Sequence, residues 1–321
     1  MRIIVVGAGY SAWYCCKQLY ERSYEIIAGI TLDSPQAKYK STFKAIDDLA
    51  EQNQFPLIKV NNINESVVVQ QIRELSPDLI IVMGWSQIIG KEILEVPKLG
   101  TIGTHISLLP QNRGHSPLNW GIINNEKAWG VTLFFLEERV DAGDIIDQCS
   151  FPINDRDDAR TLYNEATYYS IGMIINALVK LQNGVLETIK SPHTLSKSLP
   201  RRSPEDGIIN WGLTPTELFN FVRALTKPYP GAFSYFIRNK IYIWKVKLYD
   251  GHFDGAAAPG EILKIISGEG ILVSTGAEPI LVERVSIVDD LDIWADTFFT
   301  NLCVGQSFTS ENELHREVVP F

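Results

Sequence analysis

The first third of the chain alternates short apolar runs with helical stretches, and this alternation limits the possible folds more than any other feature. The apolar runs are residues 2–6, 25–30, 56–60 and 78–83, and helical periodicity is clearest at residues 12–22 and 66–75. Apolar runs of this length are typical of buried strands, and strands that alternate with helices form a parallel sheet covered on both faces. We therefore predict an α/β fold with a doubly wound, mostly parallel sheet.

The remainder of the chain predicts a second, smaller domain. Two further strands (131–136 and 145–153) and a long helix (158–181) precede a polar, turn-rich segment at residues 191–207. Beyond it come a helix at 215–225 and five short alternating strands between residues 232 and 285, which favour a small β-barrel of OB-like type. We predict a catalytic domain at residues 1–190, a linker at 191–207 and a C-terminal barrel at 208–321.

Composition excludes several classes of partner. The formal net charge is -9 and, from Arg201 onward, 11 Lys and Arg face 16 Asp and Glu, which disfavours a nucleic-acid partner. Residues 1–8 form an apolar run that Gly7 already interrupts, so we expect neither a signal peptide nor a membrane segment. The four cysteines contain no CxxC pair, which predicts a cytoplasmic protein without a zinc site or other metal.

The turn Gly7-x-Gly9-x-x-Ala12 follows the first strand and allows three interpretations. It is a tight turn that needs close backbone approach, or a helix N-terminus that holds a phosphate or sugar of the substrate, or a partial dinucleotide fingerprint. In the second case Tyr10 and Ser11 are the candidate substrate-binding residues.

Residues 100–120 combine two histidines, hydroxyl groups, prolines and glycines, a mixture typical of a site and not of a core element. We expect His105 at the carboxyl edge of the sheet, where open α/β sheets bind ligands. Asp141 lies in a glycine-containing loop after the next strand and can meet it there. An imidazole with a carboxylate partner can transfer protons near neutral pH. His115 has no such partner and is interpreted as an exposed loop residue.

A longer pattern surrounds this histidine: Gly103-x-His105-x-Ser107-Leu-Leu-Pro110-x-x-Arg113-Gly114-x-x-Pro117, followed by Gly130-Val-Thr132 and Asp141-x-Gly-Asp144. It resembles the N10-formyltetrahydrofolate-dependent formyltransferases, and the His105–Asp141 interval (141 − 105 = 36) agrees with that family. Residues 202–211 and 222–235 resemble the second domain shared by methionyl-tRNA formyltransferase and sugar-nucleotide N-formyltransferases, so the resemblance covers about residues 1–290.

The resemblance implies transfer of a formyl group from N10-formyltetrahydrofolate, as cosubstrate, to a primary amine. His105 would accept the proton of the amine and Asp141 would orient the imidazole. The pterin would contact Trp85, Gln87, Ile88 and Val140, although Trp85 can equally be an ordinary core aromatic. The acceptor would contact Tyr10, Ser11, Asn112, Arg113 and Arg202. Arg113 can alternatively clamp loop carbonyls, and Arg201 and Arg202 can belong to a solvated linker.

One position departs from the family pattern. The family carries asparagine two residues before the histidine, where its amide donates to the formyl oxygen, and this chain has Gly103 there. Loss of one oxyanion donor costs about 100–1000-fold in rate. Either another donor serves, for which Thr104, Asn112 and water are candidates, or the enzyme is slow, or catalysis is lost. The retained His105 and Asp141 favour an active enzyme.

For the acceptor we favour a nucleotide-linked amino sugar, because Arg113, Arg201 or Arg202 can neutralise its diphosphate locally. The sequences of residues 200–206 and 230–235 most resemble the transformylase domain acting on UDP-4-amino-4-deoxy-L-arabinose. This resemblance implies a role in lipopolysaccharide or O-antigen biosynthesis. The alternatives are methionyl-tRNA formyltransferase, which would carry a longer basic loop than residues 33–44, and a catalytically degenerate folate or nucleotide-sugar binding protein. A homodimer is possible.

Overall fold

Seven strands form one sheet in the first of two units of the chain. The computed structural model describes residues 1–33, 46–192, 198–251, 253–287 and 292–310, so the short, modestly basic segment 33–44 lies almost wholly outside the described residues. The first unit contains Met1–Pro117, Ala128–Pro152 and Leu162–Pro200. The second contains Leu118–Lys127, Ile153–Thr161 and the described residues from Arg201 onward. The predicted domain boundaries remain a prediction.

The elements of the first unit match the apolar runs of the sequence. Its strands are β1 (Arg2–Gly7), β2 (Glu25–Leu32), β3 (Leu57–Val60), β4 (Leu79–Met83), β5 (Thr101–His105), β6 (Ala128–Phe135) and β7 (Ile145–Pro152). The helices up to the linker are α1 (Tyr10–Tyr20), α2 (Asp47–Gln52), α3 (Ser66–Leu75), α4 (Lys91–Leu94), α5 (Pro117–Ile123) and α6 (Ala159–Gln182), of which α5 lies almost entirely in the second unit.

The strand order β3-β2-β1-β4-β5-β6-β7 confirms the doubly wound, mostly parallel sheet. β1 to β5 run parallel, whereas β6 and β7 are antiparallel to their neighbours. The chain leaves β1 toward one side through β2 and β3, then returns to pair β4 with its other side. This reversal places a crevice at the carboxyl ends of β1 and β4, where ligands bind in such folds.

Gly7 ends β1 beside Met83 of β4, and packing alone explains it. A side chain there would overlap the Met83 carbonyl oxygen, at 2.2 Å, and the Ala12 side chain, at 2.3 Å. Close backbone approach, the first interpretation of the glycine turn, is therefore present in the structure.

The second unit contains an antiparallel sheet, as predicted. Its elements are a 3-10 turn (Pro204–Gly207), α7 (Pro215–Leu225), β8 (Ala232–Phe236), β9 (Asn239–Leu248), β10 (Ile262–Ile266), β11 (Gly270–Val273), β12 (Ile280–Ser286), β13 (Ile293–Trp294), α8 (Ala295–Phe298) and a 3-10 turn (Asn301–Cys303). The strand order is β10-β11-β12-β9-β8, with β13 paired to β12. Among the described residues, none of the helices has both the length and the apolarity needed to cross a bilayer.

Residues 305–309 join the two edge strands of this sheet. Ser307 pairs with Glu261 beside β10, and Thr309 pairs with Tyr235 of β8. The backbone amides of Tyr235 and Thr309 each donate to the other residue's carbonyl, at 3.1 and 2.8 Å. The sheet is thereby closed in the manner of a barrel, which satisfies edge groups that would otherwise be unpaired.

Candidate active site

His105 is the last residue of β5, and this differs from the loop position expected from sequence. The strand Thr101–His105 pairs in parallel with β4 and antiparallel with β6, where His105 lies opposite Thr132. A five-residue strand with two threonines and a glycine carries little apolar signal, which explains the difference. The expected edge is correct, because β5 ends next to β4 at the crevice.

Asp141 lies beside His105, as the sequence predicted. His105 Nδ1 is 3.7 Å from Asp141 Oδ1, and the two side chains are only 11% and 14% exposed. The second carboxylate oxygen of Asp141 accepts from the backbone N–H of Gly114 at 3.2 Å. On the other side of the ring, His105 Nε2 lies 3.1 Å from the backbone oxygen of Asn112. Only the Asn112 oxygen lies within hydrogen-bond distance of the ring, and the Asp141 carboxylate is a neighbouring negative charge.

Two residues at this site have a left-handed backbone conformation. Asn112 and Asp141 have φ of 56° and 52°, in the left-handed region that non-glycine residues rarely adopt. Such residues cost about 1–3 kcal/mol each and persist where the surroundings enforce them, often at active sites. The loop places the Asn112 carbonyl, not its side chain, against the imidazole.

Thr132 holds the loop that follows His105, and sequence reasoning assigned it no role. Its buried hydroxyl donates to the Ser107 carbonyl at 2.7 Å and accepts from the Leu109 N–H at 3.0 Å. Gln148 donates to the same hydroxyl and to the Leu109 carbonyl, both at 2.8 Å. Trp129 Nε1 donates to the Ile106 carbonyl at 2.6 Å. The signal for this network was present in the Gly130-Val-Thr132 motif, but only the resemblance used it.

Arg113 is buried and bonded to the protein. Its Nη2 donates to Ser191 Oγ at 3.1 Å and to the Pro192 carbonyl at 3.3 Å, and its backbone oxygen accepts from the Leu199 N–H. Its buried Nε has no acceptor within the part of the chain that the structure describes. These contacts are those of the clamp that the sequence left as an alternative, and a role in acceptor binding stays a prediction.

The space beside Gly103 is filled by an apolar side chain. A Cβ on Gly103 would lie 2.6 Å from Leu136 Cδ1 and 3.3 Å from the Val82 carbonyl oxygen. Leu136 follows β6 and packs between two apolar clusters, one with Val82 and one with Phe134. An amide side chain at position 103 therefore requires Leu136 to move.

The four predicted pterin contacts differ in what they offer. Trp85 is half-buried against Ala8 and Leu32, and its buried Nε1 has no acceptor among the described residues. Ile88 and Val140 are exposed apolar side chains. Gln87 already uses both ends of its amide, because it accepts from the Ile63 N–H and donates to the Asn61 carbonyl. Trp85, Ile88 and Val140 therefore suit a flat, partly apolar ligand, whereas Gln87 holds the adjacent loop.

The predicted acceptor contacts lie in both units. In the first unit, Tyr10 stacks on Tyr14 along α1, and Ser11 accepts a hydrogen bond from the Tyr163 hydroxyl at 3.1 Å. In the second unit, the Arg202 guanidinium lies 4.9 Å from the centroid of the Trp120 ring and donates to the Asp206 carbonyl. Burial lowers the pKa of Arg202 from its ordinary value. His115 is exposed, as predicted.

Sequence comparison gives the chain its family. Residues 1–178 match the formyl transferase domain, and residues 201–301 match the C-terminal domain of formyl transferases. The chain belongs to the formyl transferase family. It is therefore a formyltransferase, as the resemblance implied.

Two curated relatives have similar levels of identity. The bifunctional polymyxin resistance protein ArnA of Wigglesworthia glossinidia brevipalpis is 34% identical over 266 residues, which are 82% of this chain and 40% of that protein. Methionyl-tRNA formyltransferase of Geotalea uraniireducens is 33% identical over 289 residues, which are 89% of this chain and 90% of that protein. The chain thus spans about two fifths of the first relative and nearly all of the second.

Solved structures share the fold. HypX from Aquifex aeolicus in complex with tetrahydrofolic acid superimposes with a TM-score of 0.67 at 19% identity, over 93% of this chain and 46% of that one. The N-formyltransferase from Helicobacter canadensis in complex with folinic acid and dTDP-3-aminofucose gives 0.63 at 21% identity, over 87% and 98%. The chain thus spans about half of HypX. The buried Trp85 Nε1, which has no acceptor among the described residues, is free to bond to a ligand.

Proposed function

We propose that this formyltransferase transfers the formyl group of N10-formyltetrahydrofolate to the primary amine of a nucleotide-linked amino sugar. The observation that carries the reaction is the contact between His105 and Asp141 at the crevice of the sheet. The acceptor class is supported by the net charge of the chain and by a structurally similar enzyme that was solved with a nucleotide-linked amino sugar.

The residues of the pair divide the proton chemistry between them. The folate supplies a formyl group that an amine can attack. His105, with Asp141 on one side and the Asn112 carbonyl on the other, is placed to accept the proton that the attacking amine loses. Asp141 lies beside Nδ1 and orients the imidazole. Direct transfer is favoured over a covalent enzyme intermediate, because no serine or cysteine nucleophile motif accompanies His105 and Asp141 in the sequence.

Charge favours a small acceptor over tRNA. The chain has a formal net charge of -9, and affinity for a polyanion depends on clustered lysines and arginines. A nucleotide sugar presents only a diphosphate, which one or two arginines can bind. The Helicobacter canadensis enzyme was solved with an amino sugar linked to dTDP, which supports this acceptor class.

The second candidate is formyl transfer to methionyl-tRNA. The methionyl-tRNA formyltransferase of Geotalea uraniireducens has nearly the same sequence identity to this chain as ArnA has. The match covers 90% of that protein, compared with 40% of ArnA. Identity alone does not separate the two acceptors, so the choice depends on a direct measurement.

A turnover assay tests the proposal. Purified protein is incubated with N10-formyltetrahydrofolate and a panel of UDP-, dTDP- and GDP-linked amino sugars, with charged initiator tRNA in parallel. We expect one of the sugars to be formylated, and His105→Asn to lower that rate about 100-fold or more. His115→Asn, at an exposed histidine of the same loop, is the matched control and should react like the wild type. Formylation of tRNA but of no sugar would select the second candidate, and folate binding without any product would indicate a degenerate enzyme.

A cytoplasmic location is part of the proposal. It is supported by the four cysteines, all of which are free thiols in the structure. Fractionation of cells that express the tagged protein tests it.

A further inference from the structure

A cavity of about 500 Å³ lies in the second unit, among residues to which formyl transfer assigns no role. Every residue that lines it belongs to that unit, whereas His105 and Asp141 belong to the first. A volume of this size is typical of small-molecule sites. We propose that the cavity binds a small phosphate-bearing molecule with an apolar body, separately from the formyl-transfer site.

The floor of the cavity is apolar and fixed. Val222 of α7 and Trp244 and Val246 of β9 line it, and all three are buried. Trp244 stacks on Tyr242 with ring centroids 5.6 Å apart, and its Nε1 donates to Ser286 Oγ at 2.8 Å. A floor held in this way offers apolar contact without rearrangement, which reduces the entropic cost of binding.

Arg223 supplies a buried, oriented donor in the wall. Its Nε donates to Asn220 Oδ1 at 2.9 Å, and its Nη1 donates to the carbonyls of Asn154 and Asp157 at 2.6 and 2.8 Å. The third nitrogen, Nη2, has no acceptor among the residues that the structure describes. Arg223 lines the cavity and is only 7% exposed, so we infer that Nη2 presents its N–H groups to a ligand.

Three further cations around the cavity have no carboxylate within ion-pair distance in the described part of the chain. Lys227 is half-buried with its Nζ 5.1 Å from the centroid of the Trp244 ring, and Arg156 and Arg160 are exposed. By contrast, Lys245 pairs with Glu283, and Arg284 pairs with Asp292. Four cationic groups therefore remain for an incoming anion.

The nearby carboxylates offset only part of this charge, and Asp155, Asp157 and Asp158 attract the Arg223 guanidinium electrostatically. Asp157 accepts from the backbone and side-chain N–H groups of Asn154, and Asp158 caps the start of α6 through the N–H groups of Arg160 and Thr161. In total the lining has six cationic side chains and four carboxylates, in a chain whose formal net charge is -9. Because several donors approach from different walls, a phosphate with more than one negative charge fits better than a single carboxylate.

Lysine footprinting tests the proposal on the unmodified chain. The protein is acetylated with and without phenyl phosphate, and the rate at each lysine is followed by mass spectrometry. Phenyl phosphate at about 1 mM should slow the acetylation of Lys227 about tenfold. It should leave Lys264, an exposed lysine of β10 outside the cavity, unchanged. Benzyl alcohol, which lacks the phosphate, should protect neither. Equal rates at Lys227 with and without phenyl phosphate would overturn the proposal.

A variant pair provides an independent measurement. In calorimetric titration with phenyl phosphate, the double variant Arg160→Gln/Lys227→Gln should bind about tenfold more weakly than the wild type. Lys264→Gln should bind like the wild type, and thermal melting confirms that all proteins are folded. Phosphate also occurs in nucleic acids, so a short single-stranded RNA is titrated in parallel by fluorescence anisotropy. Binding of RNA without binding of phenyl phosphate would contradict a small-molecule site, as would unchanged affinity of the double variant.

Discussion

At the residue scale, Gly103 and Leu136 together determine which side chain β5 can carry two residues before His105. Position 103 carries no side chain, and Leu136 Cδ1 occupies the space that a side chain would need. The overlap involves the end of a flexible leucine, so a smaller residue at position 136 should relieve it. An amide placed there can donate to a developing oxyanion, an interaction worth up to about 100–1000-fold in rate.

We therefore expect Gly103→Asn/Leu136→Ala to turn over about tenfold faster than Leu136→Ala alone, because an oxyanion donor is added. Gly103→Asn alone should gain less, since Leu136 competes for the same space. The measurement is kcat for the acceptor that the panel identifies. A double variant no faster than Leu136→Ala would show that the site already has another donor.

A second residue-scale prediction concerns Asp78, which precedes β4. Its carboxylate accepts from the Arg2 N–H at 2.8 Å and contacts Lys98 Nζ at 3.2 Å. The backbone hydrogen bond from Arg2, followed by the hydrogen bond from Lys98, lowers the pKa of Asp78 below its ordinary value. A carboxyl group with a lowered folded pKa stabilises the fold above its unfolded pKa, of about 3.9, and loses this contribution as pH falls through the folded value.

Asp78→Asn should therefore unfold at lower urea concentration than the wild type at pH 7, and the difference should shrink as pH falls below about 4. Urea denaturation across this pH range measures it. Asp254→Asn, at an exposed aspartate of the second unit, serves as the comparison. If the stability difference between the wild type and Asp78→Asn does not change with pH, the charge of Asp78 does not cause it.

The sequence predicted which polar residues lie at the site, but not which partners their side chains have. His105 and Asp141 were recognisable because their types suit proton transfer and because both follow strands that meet at one edge. Gln87 and Arg113 also have polar side chains in loops, yet both side chains form hydrogen bonds with other parts of the protein. Sequence gives the type of a polar side chain, but its partners depend on loop conformations that only the fold defines.

At the scale of elements, the closing segment 305–309 depends on one aromatic side chain. Phe308 is 3% exposed and lies against Trp211, Phe236 and Phe299, with ring centroids 5.1 to 5.6 Å away. Burying these rings holds the segment between β8 and β10, where its backbone pairs with both. Loss of the ring leaves a cavity and weakens the closure.

Phe308→Ala should lower the free energy of unfolding by about 3–5 kcal/mol, the usual cost of removing a buried phenylalanine ring. Phe253→Ala, at a phenylalanine that is 36% exposed in the same unit, should change it far less. Urea denaturation followed by tryptophan fluorescence compares the two variants. Equal losses would contradict the role of Phe308 as the anchor of the closing segment.

Elements were predictable where a long apolar pattern exists and were missed where it does not. β4 is buried along its whole length and was recognised from its apolar residues. β5 and segment 305–309 are short, with glycine and hydroxyl residues, and pairing with neighbours far away in the chain makes them extended. The strand propensity of a short segment does not reveal such long-range pairing.

At the scale of the whole molecule, the second unit does not coincide with a continuous stretch of sequence. Residues 118–127 and 153–161 belong to it, although they precede the predicted boundary at 208. Asn119 donates to the Ala224 carbonyl at 2.6 Å, and the Asn154 and Asp157 carbonyls accept from the buried Arg223 guanidinium. A C-terminal fragment that starts at residue 208 would leave this guanidinium without two of its acceptors.

We therefore expect a fragment of residues 208–321 to lack a cooperative thermal transition, because it lacks the two segments that complete the unit and that bind the Arg223 guanidinium. The intact chain is the reference, and circular dichroism with thermal melting is the measurement. In the intact chain, Arg223→Met removes the charge while keeping much of the side-chain volume. We expect this variant to be less destabilised than the fragment. A fragment that melts cooperatively near the temperature of the intact chain would instead support the boundaries predicted from sequence, with residues 118–127 and 153–161 as dispensable additions to a self-sufficient domain.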